Sequence, residues 1–508
     1  MTSRINAGTA ATVAVLICTA LSAVLFALRL TSAMSLTEPV QAATSGYEAE
    51  SLIAIWNFIN DRPVYVSRFD FPYRWAIYNW LYYVSYGFSV DAVLSALGLT
   101  DSWIPTIVRC VTLFGVATVF AAAFAAFRLA LVPVTWREVW LIAGVAGFVA
   151  IGPLLGFWAM TTRPDVWALA FQALTVCCFI LFLEKERRGW LILVIITAYL
   201  SWSLKQSSVT SIVAVIAFLA LHRRWRPAFH TAAVFSLLCG ATLVLGGEVY
   251  RSSVTLSEYQ AIYSLDRALT VFVNAAAKTL PQIAMIGAAG TFLILTARRR
   301  RTLYQSVCAL DDVTRFALVG AGIAAAVVVL TSTHTGAAEN YYFSSLLYLS
   351  LLSLLIYRRL FDRSRLVRAA MFIGWGLQSL AVIAVLSGSQ GTFSVYDEHE
   401  QATRYQRCIG TPKGPVYVAD SYYALPWITP NAAQTILAFG YFADRARGVE
   451  YQHGGIGGLI DAGYFETLLL PASIEGAYDG STLSRYRPTD TICEKLLMYM
   501  KPPRTIPE

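Results

Sequence analysis

Glu48 and Glu50 stand two positions apart in TSGYEAES (44–51), close behind a long apolar run. A carboxylate beside a hydroxyl can act as a general base, worth about 10²–10⁴ in rate. Three further polar groups follow: TTRPD (161–165) with Arg163 and Asp165, LKQSS (204–208) with Lys205 and Gln206, and HTGAAEN (334–340) with His334, Glu339 and Asn340. Arginine holds a phosphate as a planar fork and lysine as a point charge. An acid, two cations and polar amides gathered together would suit displacement at a sugar carried on a membrane-bound phosphate. Each group also has a plainer reading. Ser45 and Glu48 have the S-x-x-E spacing of a capping box ahead of a helix through SLIAIWNFI, with Glu50 as a solvated neighbour. Arg163 and Asp165 flank Pro164 and could form only a local ion pair at a helix start. Lys205 could snorkel to headgroups. An ionisable group between two apolar runs is nevertheless costly, about 2.5–3.5 kcal/mol near the bilayer centre, and functional by default. His334, Glu339 and Asn340 could mark a polar loop tip.

The elements that would position these groups are membrane spans. Of 508 residues, 57% are hydrophobic and 14% charged, against roughly a quarter charged in soluble domains. Apolar runs at 8–30, 103–132, 138–160, 166–183, 189–204, 207–221, 228–247, 279–297, 314–333, 341–357 and 367–387 predict about eleven spans. The first exceeds the usual apolar core of a signal peptide, so an uncleaved span is expected. The net charge of +8 gathers in EKERR (184–188), HRRWR (222–226), RRRR (298–301) and RRLFDRSRLVR (358–368). Those clusters fall in alternate connections and so report orientation, with the N-terminus cytoplasmic and the C-terminus outside. No nucleic-acid partner is implied. All four polar groups then map to the outer face, the first in an outer loop spanning about 32–102.

From 388 the apolar runs stop. VYVAD (416–420) and ETLLLP (466–471) read as short strands around helical TILAFGYFADRA, which predicts a small extracytoplasmic α/β domain over 388–508 after a membrane domain over 1–387. Cys18, Cys110, Cys177, Cys178 and Cys239 lie in spans and Cys308 on the cytoplasmic side. Only Cys408 and Cys493 fall where the compartment permits a disulfide. H-E-x-x-H and C-x-x-C are absent, and YDEHE (396–400) reads as a solvated charge run. No cofactor is expected, with a divalent metal left open.

The succession YEAESLIAIWNFINDRPVY, FDFPYRWAIYNWLYY, RPDVWAL, LKQSS and ENYYF resembles the bacterial GT-C glycosyltransferases related to protein O-mannosyltransferases and lipid A aminoarabinose transferases, over about residues 8–357. The resemblance implies an all-α polytopic membrane fold with interfacial helices in the first outer loop. It also implies a polyprenyl-phosphate sugar donor, transfer with inversion, and an acidic motif, often Asp-Glu, that supplies the base. The family's Glu falls on Glu48 and its preceding Asp on Tyr47, so Glu48 or Glu50 is expected to be the base. The family's proline strip falls on Pro72, with Phe71 where a Lys often stands. Arg163 and Lys205 would hold the departing phosphate and Asp165 would orient Arg163. Glu339 and Asn340 would bind sugar hydroxyls, supported by Gln206 and His334. Trp75, Tyr78 and Trp80 would face a sugar ring or the membrane interface. Expected partners are the lipid-linked donor, membrane lipids and a glycan, lipid or protein acceptor, at a bacterial inner membrane. Two other readings stay open. One is a transporter or flippase of a lipid-linked or anionic substrate, with Arg163, Lys205 and Glu339 along its path. The other is a non-catalytic polysaccharide-assembly subunit, which Tyr47 would suit.

Overall fold

The structure, a computed structural model, describes residues 7–34, 47–255, 263–296, 310–333, 337–388, 401–412, 414–420, 423–432, 438–474 and 477–502. Ser45, Cys308, His334, the arginines at 298–301 and the YDEHE run lie outside the described residues.

The helices are α1 (Ala7–Ala33), α2 (Tyr47–Ile59), α3 (Trp80–Leu97), α4 (Ile104–Ala130), α5 (Trp136–Ile151), α6 (Asp165–Lys185), α7 (Arg188–Leu204), α8 (Thr210–Leu221), α9 (Trp225–Leu245), α10 (Gly247–Thr255), α11 (Leu265–Lys278), α12 (Leu280–Thr296), α13 (Asp312–Thr331), α14 (Phe343–Leu360) and α15 (Arg365–Ser387). Each expected apolar run contains a helix. The count of about eleven spans is not confirmed. Among the described residues, α1, α4, α6, α9, α13, α14 and α15 are long and apolar enough to cross a membrane. The pair α11–α12 makes an eighth if its 89° bend is one broken span. Three runs give shorter helices for identifiable reasons. The run at 138–160 stops being helical at Gly152, which is extended at ψ 175° ahead of Pro153, a position where proline disfavours the helical backbone. The runs either side of Lys205 give α7 and α8, of 17 and 12 residues, because the chain reverses between them.

This is a multi-pass membrane protein, and its packing follows from hydrocarbon surroundings. Large apolar side chains such as Phe114, Phe229, Leu237 and Leu245 face outward, since lipid gives no reason to bury them. Helix contact then depends on close approach and on hydrogen bonds. On α5, Gly144 lets α1 come near, and Thr19 Oγ1 donates to Gly144 O at 2.9 Å. On α13, Gly320 lies under the ring of Tyr348 from α14, and a Cβ would overlap it. Gly320→Ala is therefore expected to cost about 1–3 kcal/mol through overpacking, read as a lowered unfolding temperature in detergent.

The C-terminal part carries a helix through 401–409, then β1 (Val416–Val418), α16 (Ala438–Ala446), α17 (Gly455–Asp461), β2 (Thr467–Pro471), β3 (Arg487–Cys493) and β4 (Leu496–Met500). The sheet order is β1-β2-β4-β3, with β1 parallel to β2 and the other pairs antiparallel. Val416 lies opposite Thr467, and Thr467 opposite Met500. β1, β2 and α16 fall within the stretches read as strands and helix. The β3–β4 hairpin was not anticipated, because RPTDTIC is polar, largely exposed and carries Pro488, which suits an edge strand. Cys408 and Cys493 are disulfide-bonded, Cα atoms 5.5 Å apart, which ties the 401–409 helix to the sheet. Buried residues of α2, α3 and β1 form one continuous core with Tyr405, Tyr423 and Leu469. The C-terminal part is thus packed directly onto the first loop.

Candidate active site

The four polar groups meet at one end of the helix bundle. α2 begins at Tyr47, whose side chain lies outside the described residues, and carries Glu48 and Glu50 in its first turn. Both carboxyls are buried. Glu48 Oε1 accepts the Thr162 N–H in a short hydrogen bond, and the Tyr82 hydroxyl donates to Thr162 O. Helix α2 and helix α3 thereby grip the TTRPD turn from both sides. Glu50 points elsewhere. Its Oε2 takes a long hydrogen bond, 3.5 Å, from Trp75 N, while Oε1 is buried without a hydrogen-bond partner among the described residues. Burial pushes the Glu50 carboxyl up to about 8, against the smaller opposing influences of the Trp75 N–H and the Arg74 guanidinium.

Asp165, the first residue of α6, is the centre of the second cluster. Lys205 Nζ donates to Oδ1, Asn340 Nδ2 donates to the same oxygen at 2.7 Å, and Arg163 Nε lies 3.3 Å from Oδ2. All four side chains are buried. Two cations thus face one carboxylate. The Arg163 guanidinium also lies 4.9 Å from the Trp158 ring and 5.7 Å from that of Tyr78. Tyr78 is buried in the protein. Gln206 Nε2 donates to Ile77 O at 2.9 Å and Asn79 Nδ2 to Trp202 O at 2.9 Å, which staple the first loop to the α7–α8 reversal.

Space divides the site unevenly. The cavity beside Lys205 and Asn340 is about 20 Å3, room for about one water. A larger cavity of about 290 Å3 opens on the other side of Trp158, lined by Arg267, Asn274, Lys278 and Glu339 among others. That approaches the lower end of ligand-pocket volumes, roughly 300 Å3. Glu339 and Asn340, adjacent in sequence, therefore part company: Glu339 pairs with Lys278 at the open cavity, and Asn340 turns into the Asp165 cluster. Arg267 Nε and Nη2 both donate to Ala337 O, at 3.0 and 2.7 Å, which fixes the guanidinium at the wall and leaves its other donors for a ligand. His334 lies outside the described residues. Arg267 and Lys278 had no assigned role in the sequence reading. A helical signal was present: Ser264 caps α11 by accepting the Arg267 N–H, and LDRALTVFVNAAAK repeats its apolar residues at helical spacing. Among the described residues no group of three or more His, Cys, Asp or Glu side chains is placed to hold a metal ion.

No protein-family model matches the chain, and no curated protein matches it in sequence. Solved structures do match its fold. ArnT from Cupriavidus metallidurans in the apo state superposes with a TM-score of 0.55 at 12% identity, covering 94% of this chain and 97% of that one. The same protein bound to undecaprenyl phosphate gives 0.54 at 12% identity and the same coverage. AglB, the archaeal oligosaccharyltransferase from Archaeoglobus fulgidus, in complex with an inhibitory peptide and a dolichol-phosphate, gives 0.52 at 10% identity, covering 91% of this chain and 69% of that one. The likeness shows that the chain shares its fold with ArnT and AglB, the kind of fold the resemblance implied.

Proposed function

We propose that this protein transfers a sugar from a polyprenyl-phosphate donor to an acceptor hydroxyl at the extracytoplasmic face of a bacterial inner membrane, with inversion. The observation that carries this reading is the open, cation-lined cavity of about 290 Å3 set against the Asp165 cluster, at the bundle end that also holds Glu48 and Glu50. Undecaprenyl phosphate in ArnT and dolichol-phosphate in AglB, two proteins of the same fold, make a lipid phosphate the natural occupant. Among the described residues, the basic clusters at 184–188, 222–226 and 358–368 lie at the far ends of α6, α8 and α14 from the site, which favours the orientation.

In this mechanism the donor phosphate sits against Arg267 and Lys278. Arg163 and Lys205, held behind Trp158 by Asp165, add positive potential from protein that excludes water. Glu50 is the base. Its Oε1 is uncommitted, whereas Glu48 is engaged by Thr162 N–H. The acceptor hydroxyl gives its proton to Glu50 as its oxygen bonds to the anomeric carbon, and the bond from that carbon to the phosphate oxygen breaks with its electron pair. A phosphate leaves without protonation, so a second, acidic carboxyl of the glycosidase kind is unnecessary. The C-terminal part is packed over the first loop.

The test is turnover of a panel of polyprenyl-phosphate sugars by purified protein in detergent, read as released polyprenyl phosphate. Release that depends on Glu50 supports the proposal; a protein that moves such lipids only across sealed vesicles, and releases nothing, contradicts it. Arg267→Ala is expected to weaken undecaprenyl phosphate binding by about 10- to 100-fold, the loss of a hydrogen-bonded charge. Titration by tryptophan fluorescence checks this, and unchanged affinity would move the phosphate elsewhere.

A further inference from the structure

Between α2 and α3 the chain crosses Glu50 as a strip, residues 68–75, that the C-terminal part grips at several points. Arg68, buried, pairs with the buried Asp444 of α16 at 3.2 Å. The Arg68 guanidinium lies 4.6 Å from the Phe69 ring and 4.7 Å from the Trp75 ring. Tyr451 donates its hydroxyl hydrogen to Asp444 Oδ2 at 3.0 Å, fixing the carboxylate from the far side. Gln452 makes three more bonds to the strip. Its N–H donates to Phe69 O at 2.9 Å, its Oε1 accepts Phe71 N–H at 2.8 Å, and its carbonyl accepts the Tyr73 hydroxyl at 2.6 Å. At the end of the strip the Trp75 N–H meets Glu50, and Arg74 is held beside it by Nη1 donating to Asn57 Oδ1 at 2.8 Å.

These contacts form an unbroken chain from α16 to the carboxyl: Asp444 to Arg68, Arg68 to the Trp75 ring, Trp75 N–H to Glu50. We propose that Asp444 is a positioning residue for Glu50, and that through Arg68 it holds the 68–75 strip across the carboxyl so that the base stays dry and correctly aimed. This rests on the assignment of Glu50 as base. Nothing in the arrangement needs Asp444 to touch a substrate. Its carboxylate is committed to Arg68 and Tyr451. A buried ion pair is a poor source of net stability but a strict geometric device, because either charge left alone is costly.

The test uses the full chain in detergent, with Asp444→Asn and, since loss of the Asp444 charge beside buried Arg68 is itself destabilising, Gln452→Ala as a variant that keeps the ion pair. Hydrogen exchange of the Phe71 and Trp75 amides is measured alongside turnover of polyprenyl-phosphate sugars. In both variants the two amides are expected to exchange about tenfold faster, while exchange in α6 and α14 stays as in wild type. The kcat is expected to fall about tenfold with donor KM unchanged. The pH of half-maximal rate should also move down, because Glu50 becomes hydrated while Arg74 and Tyr83, the titratable groups facing it, stay in place. Unchanged Trp75 exchange in both variants overturns the proposal. So does a loss of rate carried wholly by KM with the pH profile unmoved. If no lipid-linked sugar is turned over by wild type, the transferase reading fails, and the amide measurement alone still decides whether Asp444 holds the strip.

Discussion

Glu50→Gln is expected to lower kcat by about 10²–10⁴ while leaving the fold and the affinity for undecaprenyl phosphate unchanged. Glutamine keeps the shape of the side chain and can still accept the Trp75 N–H, but it cannot take a proton from an acceptor hydroxyl. Glu48→Gln should behave differently. An amide oxygen still accepts the Thr162 N–H, so the effect there is expected to be smaller and to fall on stability as well as rate. The two variants separate carboxylates that stand one turn-start apart and that family resemblance alone leaves equivalent. The same assignment fixes a pH dependence. The Glu50 carboxyl is raised to about 8 by burial, and only its ionised form is a base, so the rate should rise with pH and level off above about 8. The stability dependence has the opposite sense. Between its ordinary value of 4.5 and about 8, Glu50 holds its proton in the folded protein and releases it on unfolding. The folded state therefore binds more protons, and this group's contribution to stability is fully present below 4.5 and is lost as pH rises toward 8. Glu50→Gln should flatten both curves. A profile unchanged in the variant would assign the base elsewhere.

The second large effect is expected at Asp165. Asp165→Asn removes the carboxylate that Arg163 and Lys205 share and takes its anion away from the buried Lys205. Stranding a buried charge typically costs about 3–5 kcal/mol, so the variant should unfold at markedly lower temperature, with or without substrate. Lys205→Met alone should also destabilise, because Asp165 loses its nearest cation. Combining the two should recover part of the loss, since one unpaired cation is removed together with the missing anion. The double-mutant cycle gives the coupling directly. Additive losses would mean that Asp165 and Lys205 do not act as a pair.

Much of this site was readable from residue types because the decisive groups sit at helix ends. TTRPD, LKQSS and the ENYYF start interrupt apolar runs at the same end of successive helices, which puts them on one face of the bundle. That Arg163, Asp165, Lys205 and Asn340 touch there is set by helix packing. That Asp165 takes both cations, so that the Lys205 surroundings are closed to anything larger than water, depends on side-chain volumes and on the short α7–α8 reversal. The open cavity was missed for a related reason. Arg267 and Lys278 look like ordinary loop cations until the 89° bend between α11 and α12 brings them to Trp158 and Glu339. Glu48 and Glu50 could not be told apart because their difference lies in distant partners, Thr162 for one and Trp75 for the other. The grip of the C-terminal part on the 68–75 strip was likewise invisible, since its contacts join residues almost four hundred positions apart.

The most direct test of the account is the rate at which an impermeant maleimide modifies Asn274→Cys, a position on the wall of the open cavity. In intact cells the thiol is expected to label from the outside, and undecaprenyl phosphate added to the purified protein is expected to slow labelling about tenfold by occupying the cavity. Labelling that requires permeabilised cells, or a rate indifferent to the lipid phosphate, would contradict an extracytoplasmic donor site between Arg267 and Lys278.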